Sequence, residues 1–404
     1  MPPGPRNRFT STEHPVRRVF IDVQEYVGTE AAGAAVLVFG TVIALLWANF
    51  FGESYESFWS TNFSPGVGDW TVSKDLRHWV NEGLMTIFFL VVALEIKREL
   101  VSGELKGARR AALPVVGVIG GMIVPALLYL VFNPSGPASS GWGIPIATDI
   151  AFAVGIVALV APSIPQPAKV FLLSLAIVDD VGAILVIALV YSSGLQWGPI
   201  LIAAVGLMAI LALGSLDVRR PAFYGVLGIL GFVVWLATLE SGMHATIAGV
   251  AIAFVLPNQA GERLEDVLHP PTSFLIVPIF ALANAGLDID VSAITDAATS
   301  GVTLGVVMGL VVGKPLGISL AVGLAVKMGW GTLPQGTSRQ DVLGLSFLAG
   351  IGFTVSLFIT ELAFSDEDLV QQSVIGIAVA SILAAALGGF LLQRSGHGRG
   401  RIKQ

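Results

Sequence analysis

The sequence predicts an all-α polytopic membrane protein with about twelve transmembrane helices, because apolar stretches of spanning length recur along it. Of its 404 residues, 54% are hydrophobic and only 12% are charged, and the mean hydropathy is +0.81. A soluble domain carries roughly twice that charged fraction. The chain also has no cysteine, which excludes disulfides, thiolate nucleophiles and cysteine metal sites.

The spans follow from hydropathy, since each apolar run gives way to a short polar loop. We place them at residues 30–49, 77–99, 111–132, 141–160, 168–191, 197–215, 221–238, 242–256, 270–288, 301–326, 342–364 and 371–393. This division predicts a cytoplasmic N-terminal tail (1–29), a transmembrane domain (30–393) and a basic cytoplasmic C-terminal tail (394–404). The tail at the N-terminus is basic and has no apolar core, so we do not expect a cleavable signal peptide.

The basic residues set the orientation, because cytoplasmic loops of membrane proteins carry an excess of Lys and Arg. With the N-terminus inside, the cytoplasmic segments hold Arg6, Arg8, Arg17, Arg18, Lys97, Arg98, Lys106, Arg109, Arg110, Lys169, Arg219, Arg220, Arg263, Lys327, Arg339, Arg394, Arg399, Arg401 and Lys403. Only Lys74, Arg77 and Lys314 fall elsewhere. The outer loops instead carry acids, such as Asp288, Asp366 and Glu367. This asymmetry predicts that both termini are cytoplasmic.

The longest outer loop, residues 51–76, contains SFWSTNFSPGVGDWTVSK, in which aromatic residues flank a Gly/Pro turn. This pattern favours a small extracytoplasmic β-hairpin. Such a hairpin suits pairing with a second copy in a homodimer. A capping loop explains the pattern equally well.

Four ionisable residues are predicted at the same depth of the membrane. Asp179 and Asp180 lie at the midpoint of one span, Lys314 at the midpoint of another, and Asp149 close to the middle of a third. Ionisable residues at bilayer depth are costly and usually mark function. A purely structural alternative, in which the acids only pin helices through Lys314, leaves two further carboxylates unpaired at high cost.

The adjacent aspartates suggest an exchange site. Two ionised carboxylates about 6 Å apart repel by about 3 kcal/mol at an effective dielectric near 20. A proton, a lysine or a bound cation relieves this repulsion. Protons and a small metal cation therefore compete for one site, which is the physical basis of antiport.

Two spans contain helix-breaking residues. Pro145 removes an amide in the span that carries Thr148 and Asp149, and Gly350 and Gly352 interrupt a later one. Transporters with inverted repeats often place two interrupted helices at the midplane. Asp149 would then offset facing N-termini, and Lys314 would offset facing C-termini. Ordinary tolerance of glycine and proline in membrane helices is the alternative for either segment alone.

Nine motifs in order, from about Ala31 to Leu392, resemble the NhaA family of sodium/proton antiporters. They are ALEIKREL (93–100), GGMIVPALLYLVFN (120–133), ATDIAFAVG (147–155), LAIVDDVGAI (175–184), SGMHATIAGV (241–250), LEDVLHP (264–270), ANAG (283–286), GKPLGIS (313–319) and GIGFT (350–354). The resemblance implies inverted repeats with two crossed, interrupted helices, in a bacterial inner membrane. It also implies electrogenic exchange of sodium or lithium for protons, with no cofactor.

The resemblance assigns roles to the matching residues. Asp180 looks like the principal cation ligand and proton carrier, and Asp179 like its partner, which exchanges a salt bridge with Lys314. Thr148 looks like a further oxygen ligand beside Asp149, which compensates charge at the crossing. Gly350, Gly352 and Thr354 match the second interrupted helix.

The resemblance also implies a cytoplasmic cluster that shuts the family down at acid pH. Its matching residues are Glu95, Glu99, Glu265 and His269. A histidine that titrates near neutrality suits such a role. Glu95 and Glu99 also fit a plain helix end with i,i+4 spacing. Glu262 and Asp266 depart from the usual family pattern, so the resemblance does not define the pH range.

Two other function classes compete with an antiporter. An intramembrane aspartyl protease needs two aspartates on separate helices and a GxGD-like motif, which this sequence lacks. A sodium-coupled symporter needs polar groups for an organic substrate, and few are visible beyond Asn284, Thr354 and Ser356. Near the outer side, His244 fits a satisfied packing residue, and Glu82 fits the wall of an outer funnel.

Overall fold

A computed structural model describes residues 15–67, 70–103, 105–192, 194–214, 221–287 and 291–402. Helices make up most of these residues, as the sequence predicts. Most of the predicted N-terminal tail, with Arg6 and Arg8, lies outside the described residues. The same holds for Arg219, Arg220, Asp288, Asp290 and Lys403.

The described part of the chain contains eighteen α-helices. They are α1 (Pro15–Phe50), α2 (Gly52–Trp59), α3 (Leu76–His78), α4 (Met85–Val101), α5 (Ala108–Phe132), α6 (Ile150–Val160), α7 (Gln166–Val190), α8 (Trp197–Leu213), α9 (Pro221–Glu240), α10 (Thr246–Val255), α11 (Asn258–Pro271), α12 (Val277–Asn284), α13 (Val291–Thr299), α14 (Gly301–Met308), α15 (Lys314–Lys327), α16 (Arg339–Leu348), α17 (Phe353–Ala363) and α18 (Glu367–Ile402). A 3-10 helix (Pro137–Ile146) precedes α6. Three π-helical segments, Trp79–Leu84, Thr272–Ile276 and Gly309–Gly313, join α3 to α4, α11 to α12 and α14 to α15.

Among the residues that the structure describes between α2 and α3, there are four two-residue strands. β1 (Asn62–Phe63) pairs antiparallel with β4 (Lys74–Asp75), and β2 (Gly66–Val67) pairs antiparallel with β3 (Trp70–Thr71). The second pair is nested inside the first, so this stretch of the chain folds back on itself. The indole nitrogen of Trp79 donates to the carbonyl of Phe63 at 2.9 Å and ties β1 to the start of the next helix.

Within the described residues, seven continuous helical segments are long and apolar enough to cross a membrane. They are Ala31–Phe50, Ala111–Phe132, Gln166–Val190, Pro221–Glu240, Asn258–Asn284, Gly301–Lys327 and Glu367–Ser395. Two bent pairs bring the total to nine: the 3-10 helix with α6 bends by 45°, and α16 with α17 bends by 48°. α8 and α10 are apolar but shorter. The chain is thus a multi-pass helical protein, and the count of twelve spans stays a prediction.

The ends of several helices differ from the predicted spans. α1 begins at Pro15, although its apolar part begins at Ala31. α18 continues to Ile402, past the predicted end of its span. The helices extend because an α-helix satisfies its own backbone hydrogen bonds in water as well as in lipid. Hydropathy detects only the apolar part of each helix.

α5 and α15 pack with their backbones in close contact. A Cβ added at Gly120 would overlap the carbonyl oxygen of Gly317, and one added at Gly317 would overlap that of Gly120. Small residues permit such approach, and van der Waals packing drives helix association where no hydrophobic effect acts. This contact positions α15, whose first residue is Lys314.

Gly317→Ala is expected to lower the melting temperature of the purified protein, because the added methyl group meets a backbone carbonyl that cannot move aside. Overpacking of this kind costs about 1–3 kcal/mol. Gly323→Ala is the matched control on the same helix, since nothing lies within 4 Å of its added Cβ. Equal melting temperatures for the two variants in detergent would contradict the close approach.

Candidate functional site

The two bent helix pairs meet at their breaks. The hydroxyl of Thr148 donates to the carbonyl of Ala349 at 2.7 Å, and the amide of Asp149 donates to the carbonyl of Ile351 at 2.6 Å. Residues at the first break therefore provide hydrogen-bond donors to backbone carbonyls at the second. Backbone polar groups at membrane depth are tolerated only where protein or a water-filled cavity satisfies them.

The breaks lie where the sequence places helix-disrupting residues. Pro145 is in the 3-10 helix, directly before the non-helical residues 147–149. At the second break, a Cβ added at Gly350 would overlap the carbonyl oxygen of Leu310, and one added at Gly352 would overlap the hydroxyl of Ser356. Gly350 is therefore required by a close approach to backbone, whereas a side chain at position 352 would require the hydroxyl of Ser356 to move.

Asp149 contacts the N-termini of two helices. Its Oδ1 accepts from the amide of Phe152 at 3.1 Å, which caps α6. Its Oδ2 accepts from the amide and the hydroxyl of Thr354, at 3.1 and 2.6 Å, in the first turn of α17. A negative charge at a helix N-terminus offsets the partial positive charge of its free amides. One buried carboxylate thus serves two facing helix ends.

Lys314 contacts the opposite kind of helix end. Its side chain is fully buried, and Nζ donates to the carbonyl of Ile146, the last residue of the 3-10 helix, at 2.5 Å. The same nitrogen forms an ion pair with Oδ2 of Asp179 at 2.7 Å. The ammonium therefore compensates both a C-terminal carbonyl and one of the adjacent aspartates.

Asp180 faces a cavity rather than the lysine. The cavity contains about 640 Å³ of empty space, part of it open to solvent, and Asp180, Thr148, Asp149 and Thr354 line one part of it. Asp180 is only 5% exposed, so its carboxylate is reached through this cavity. Most of the wall is apolar: Leu37, Phe88, Val91, Val92, Val277 and Val355.

The other part of the cavity wall carries Glu95 and His269. Arg98, for which the sequence predicts only a cytoplasmic position, joins Glu95 to Glu265. Its guanidinium lies 2.6 Å from Oε1 of Glu265 and 3.9 Å from Oε1 of Glu95. Glu99 lies one turn further along α4, towards the helix end. Of the four residues predicted for pH control, Glu95 and His269 thus line the cavity, and Glu265 forms an ion pair with Arg98.

Lys97 is a second residue whose contacts the sequence did not reveal. Its Nζ donates to the carbonyls of Ala253, Phe254 and Leu256 at the C-terminal end of α10. A cation at this position offsets the partial negative charge of the helix end. The only sequence signal is a lysine between two acidic residues in LEIKREL.

On the opposite side of the fold, Glu82 and His244 form a buried contact. Oε1 of Glu82 lies 3.1 Å from Nδ1 of His244, and its Oε2 accepts from the amide of Ala245 at 2.6 Å. Nε2 of His244 lies 2.9 Å from the carbonyl of Tyr191, at the end of α7. Glu82 thus forms hydrogen bonds with the turn that carries His244, and its place in an outer funnel stays a prediction, whereas both ring nitrogens of His244 have partners, as expected for a satisfied residue.

Both ring nitrogens of His244 face acceptors, so the doubly protonated imidazolium fits the site. His244 lies in the turn between α9 and α10, outside both helices. Burial lowers the pKa of His244, but the hydrogen bond and charge of Glu82 and the carbonyl of Tyr191 outweigh it, and the net effect is a raised pKa. The contact is therefore complete only at lower pH.

The whole chain is similar to proteins of one family. The sequence pattern of the family described as Na+/H+ antiporter 1 matches residues 24–392. The chain is 43% identical to the Na(+)/H(+) antiporter NhaA 3 of Frankia alni, over 98% of this chain and 92% of that protein. It is 46% identical to the Na(+)/H(+) antiporter NhaA of Cronobacter sakazakii, over 92% and 97%.

One solved structure shares the fold at low sequence identity. The sodium proton antiporter MjNhaP1 of Methanocaldococcus jannaschii, determined at pH 8, matches with a TM-score of 0.57 and 13% identity. The match covers 93% of this chain and 98% of that one. At this identity the likeness concerns the fold alone.

The contact of His244 with Glu82 predicts that stability decreases as pH rises. A group whose pKa is raised in the folded state stabilises fully below its ordinary pKa and loses that effect as pH rises through the folded value. The melting temperature of the parent protein, followed from about pH 6 to about pH 9, should therefore fall relative to that of His244→Gln. Parallel curves for the two proteins would show that protonation of His244 does not matter to the fold.

Proposed function

This chain belongs to the Na+/H+ antiporter 1 family, which makes it a transporter rather than an enzyme, and we propose that sodium and protons compete at Asp180. The observation that carries this proposal is that the two adjacent aspartates have different surroundings. Asp179 is paired with Lys314, whereas Asp180 lines the cavity. One carboxylate is thus neutralised inside the protein, and its neighbour is left to an ion from solution.

The donors around Asp180 suit a small hard cation. Carboxylate and hydroxyl oxygens are the ligands that such cations prefer. The carboxylate of Asp180 and the hydroxyl of Thr148 line the same cavity, and this hydroxyl donates its proton to Ala349, so its lone pairs remain free to coordinate. Sodium and lithium are both substrates under this proposal.

Lys314, which is paired with Asp179, is a second group that can bind and release a proton. When sodium binds at Asp180 and draws Asp179 towards it, Lys314 loses its counter-charge and releases a proton. Two protons, one from Asp180 and one from Lys314, then leave for one sodium ion. Exchange of this kind is electrogenic, and an inside-negative membrane potential drives sodium out of the cell.

The lining of the cavity favours an ion over an organic substrate. Besides Asp180 and the residues at the crossing, the wall includes the apolar side chains of Phe88, Val91, Val92, Leu37 and Val355. A site for an organic molecule usually adds several placed polar groups that fix its orientation. Among the lining residues that the structure describes, the further polar ones are Glu95, His269, Thr272 and Ser273, so it is the apolar wall beside Asp180 that weighs against a sodium-coupled symporter.

The charge distribution supports an orientation for transport. The cavity that reaches Asp180 also contains Glu95 and His269, at the basic ends of helices that the positive-inside rule assigns to the cytoplasm. The fold described here is then the inward-facing state, in a chain of twelve spans with both termini inside, in the bacterial inner membrane. Under this proposal, alternating access moves the two crossed helix pairs, which bend by 45° and 48° at their breaks, and the pairs belong to two inverted repeats.

The nested strands β1–β4 provide a surface for a homodimer. Strands at the edge of so small a sheet keep unpaired backbone groups that a second copy can bind. Phe63 in β1 is 55% exposed, which adds an apolar contact at that edge. We therefore include a homodimer through this segment in the proposed assembly.

The charged cluster at the cavity mouth supplies pH control. Glu95 and Glu265 share Arg98, and His269 lies in the cavity wall that sodium passes to reach Asp180. Protonation of His269 or of the two glutamates adds positive charge along this path and repels the entering cation. Activity therefore falls towards acid pH.

Asp180→Asn should abolish exchange and leave the protein folded, because the amide is isosteric but binds neither a proton nor a sodium ion in this range. The measurement is the collapse of a preformed pH gradient in everted membrane vesicles on addition of sodium, lithium or potassium. Sodium and lithium should collapse the gradient in the parent, and potassium should not.

Asp296→Asn is the control, since Asp296 is an exposed acid on α13, away from the cavity. It should keep the parent rate. Sodium-driven collapse at a normal rate in Asp180→Asn would show that the exchange site lies elsewhere.

His269→Gln should extend sodium exchange to lower pH, because the imidazolium charge that repels sodium in the cavity is removed. The same vesicle assay, carried out from about pH 6 to about pH 9, measures the shift. Arg263→Gln, at an exposed position on the same helix, should leave the profile unchanged. An acid limit of activity that is the same in both variants would exclude His269 from pH control.

A further inference from the structure

The 3-10 helix that leads to the first break is unusually long. It covers ten residues, Pro137–Ile146. Runs longer than about three or four residues are uncommon, because the hydrogen bonds within a 3-10 helix have poor geometry. Backbone groups that such a helix leaves poorly satisfied at membrane depth need partners elsewhere in the protein. The position of this helix therefore depends on the side chains around it.

Four carbonyls of the 3-10 helix accept hydrogen bonds from side chains outside it. The donors and acceptors are Tyr129 with Ala138, Tyr191 with Ser140, Ser356 with Ile144, and Lys314 with Ile146, at 2.8, 2.8, 2.8 and 2.5 Å. Three of these donors are uncharged hydroxyl groups. The contacts are spread along the helix, so elements from several parts of the chain hold it in place.

The contact of Ser356 joins the two interrupted helix pairs. Ser356 lies on α17 in the second pair and is 0% exposed, and its hydroxyl donates to a carbonyl near the end of the 3-10 helix in the first pair. The lack of a side chain at Gly352 leaves room for this hydroxyl, since a Cβ there would lie 2.2 Å from Oγ of Ser356. The hydrogen bond thus fixes the 3-10 helix against α17.

This hydrogen bond lies close to the oxygen donor proposed for sodium. Ile144, whose carbonyl Ser356 binds, is four residues before Thr148. Beyond Thr148, the amide of Asp149 is bound to the carbonyl of Ile351. The short non-helical segment that presents the Thr148 hydroxyl to the cavity is therefore held on both sides, by Ser356 before it and by the second break after it.

Ser356 differs from Lys314, the other side chain that binds this end of the 3-10 helix. Lys314 is paired with Asp179, so its surroundings change when Asp179 moves towards sodium in the proposed exchange. The contact between the Ser356 hydroxyl and a carbonyl involves no net charge. It therefore keeps the end of the helix in place while the charges beside it change.

From these contacts we propose that Ser356 is a positioning residue, which fixes Thr148 relative to Asp180 and thereby sets how well the site discriminates between lithium and sodium. A smaller cation demands more nearly fixed ligand positions, because its ligands must approach more closely. Loosening the segment that carries Thr148 therefore weakens binding of lithium more than binding of sodium. This inference rests on the proposed exchange at Asp180 and deepens it, since it concerns the choice of ion at the same site.

Ser356→Ala removes the hydroxyl and adds no atom to the packed crossing. The apparent KM for lithium should rise about five-fold, as expected when one uncharged hydrogen bond is lost. The apparent KM for sodium should rise by a smaller factor, and the maximum rate at saturating cation should stay at the parent value per amount of protein. Both constants are measured from the collapse of the pH gradient in everted vesicles at one pH.

Thr360→Val is the matched control on the same helix. Thr360 is also 0% exposed, but its hydroxyl donates to the carbonyl of Ser356 within α17, at 2.9 Å. The isosteric change removes a buried hydroxyl without affecting the 3-10 helix, so both KM values should equal those of the parent. Ser356→Thr keeps a hydroxyl at position 356 and should restore the parent ratio of the two KM values.

A shift of the KM ratio in Thr360→Val as large as that in Ser356→Ala would overturn the proposal, because any loss of packing in α17 would then suffice. The same holds for a KM ratio in Ser356→Ala equal to that of the parent. If Ser356→Ala does not fold, Tyr191→Phe provides the test, since it removes the hydroxyl bound to Ser140 and should raise the KM for lithium by a smaller factor. An unchanged KM ratio in that variant would then overturn the proposal.

The result for Ser356 is separate from the result for Asp180. If Asp180→Asn kept normal exchange, the proposed site would be wrong, whatever the KM ratio of Ser356→Ala. If exchange required Asp180 and the KM ratio of Ser356→Ala equalled that of the parent, only the role of Ser356 would be wrong.

Discussion

The structure depends on one constraint: every polar group placed inside a hydrocarbon layer must find its partner within the protein. The two bent helix pairs expose backbone amides and carbonyls at their breaks, and the crossing satisfies them mutually through Thr148 with Ala349 and Asp149 with Ile351. These hydrogen bonds leave the partial charges of the helix ends to be compensated. Asp149 serves two N-termini, and Lys314 serves a C-terminal carbonyl, so the crossing is held by side chains of both signs.

That arrangement explains why two adjacent aspartates are retained. A lysine used only for the helix end would be an unpaired charge in the interior, and Asp179 removes that cost by pairing with it. The helical twist then turns Asp180 to a different direction, into the cavity. The exchange site is thus adjacent to the charges that stabilise the crossing, and a change of charge at the site is felt by the helices that must move.

The two sides of the protein differ in the access that they give to Asp180. On the side of Glu95 and His269 a cavity leads to Asp180, and the charges there surround it. On the other side, the buried ring of Phe358 packs against those of Phe89 and Phe280. An apolar layer of this kind excludes water and ions without binding them.

The sequence by itself determined the family, the helical class, the positions of the apolar segments and the breaks at Pro145, Gly350 and Gly352. These features depend on the local sequence. Each of the twelve predicted spans therefore overlaps a helix or a bent pair. That all twelve cross a membrane remains a prediction. Only the tertiary structure decided that Asp149 contacts Thr354, that Arg98 joins Glu95 to Glu265 and that Arg77 forms an ion pair with Glu56. Such contacts join residues from helices far apart in the chain, and packing angles decide them. Local composition carries no information about those angles.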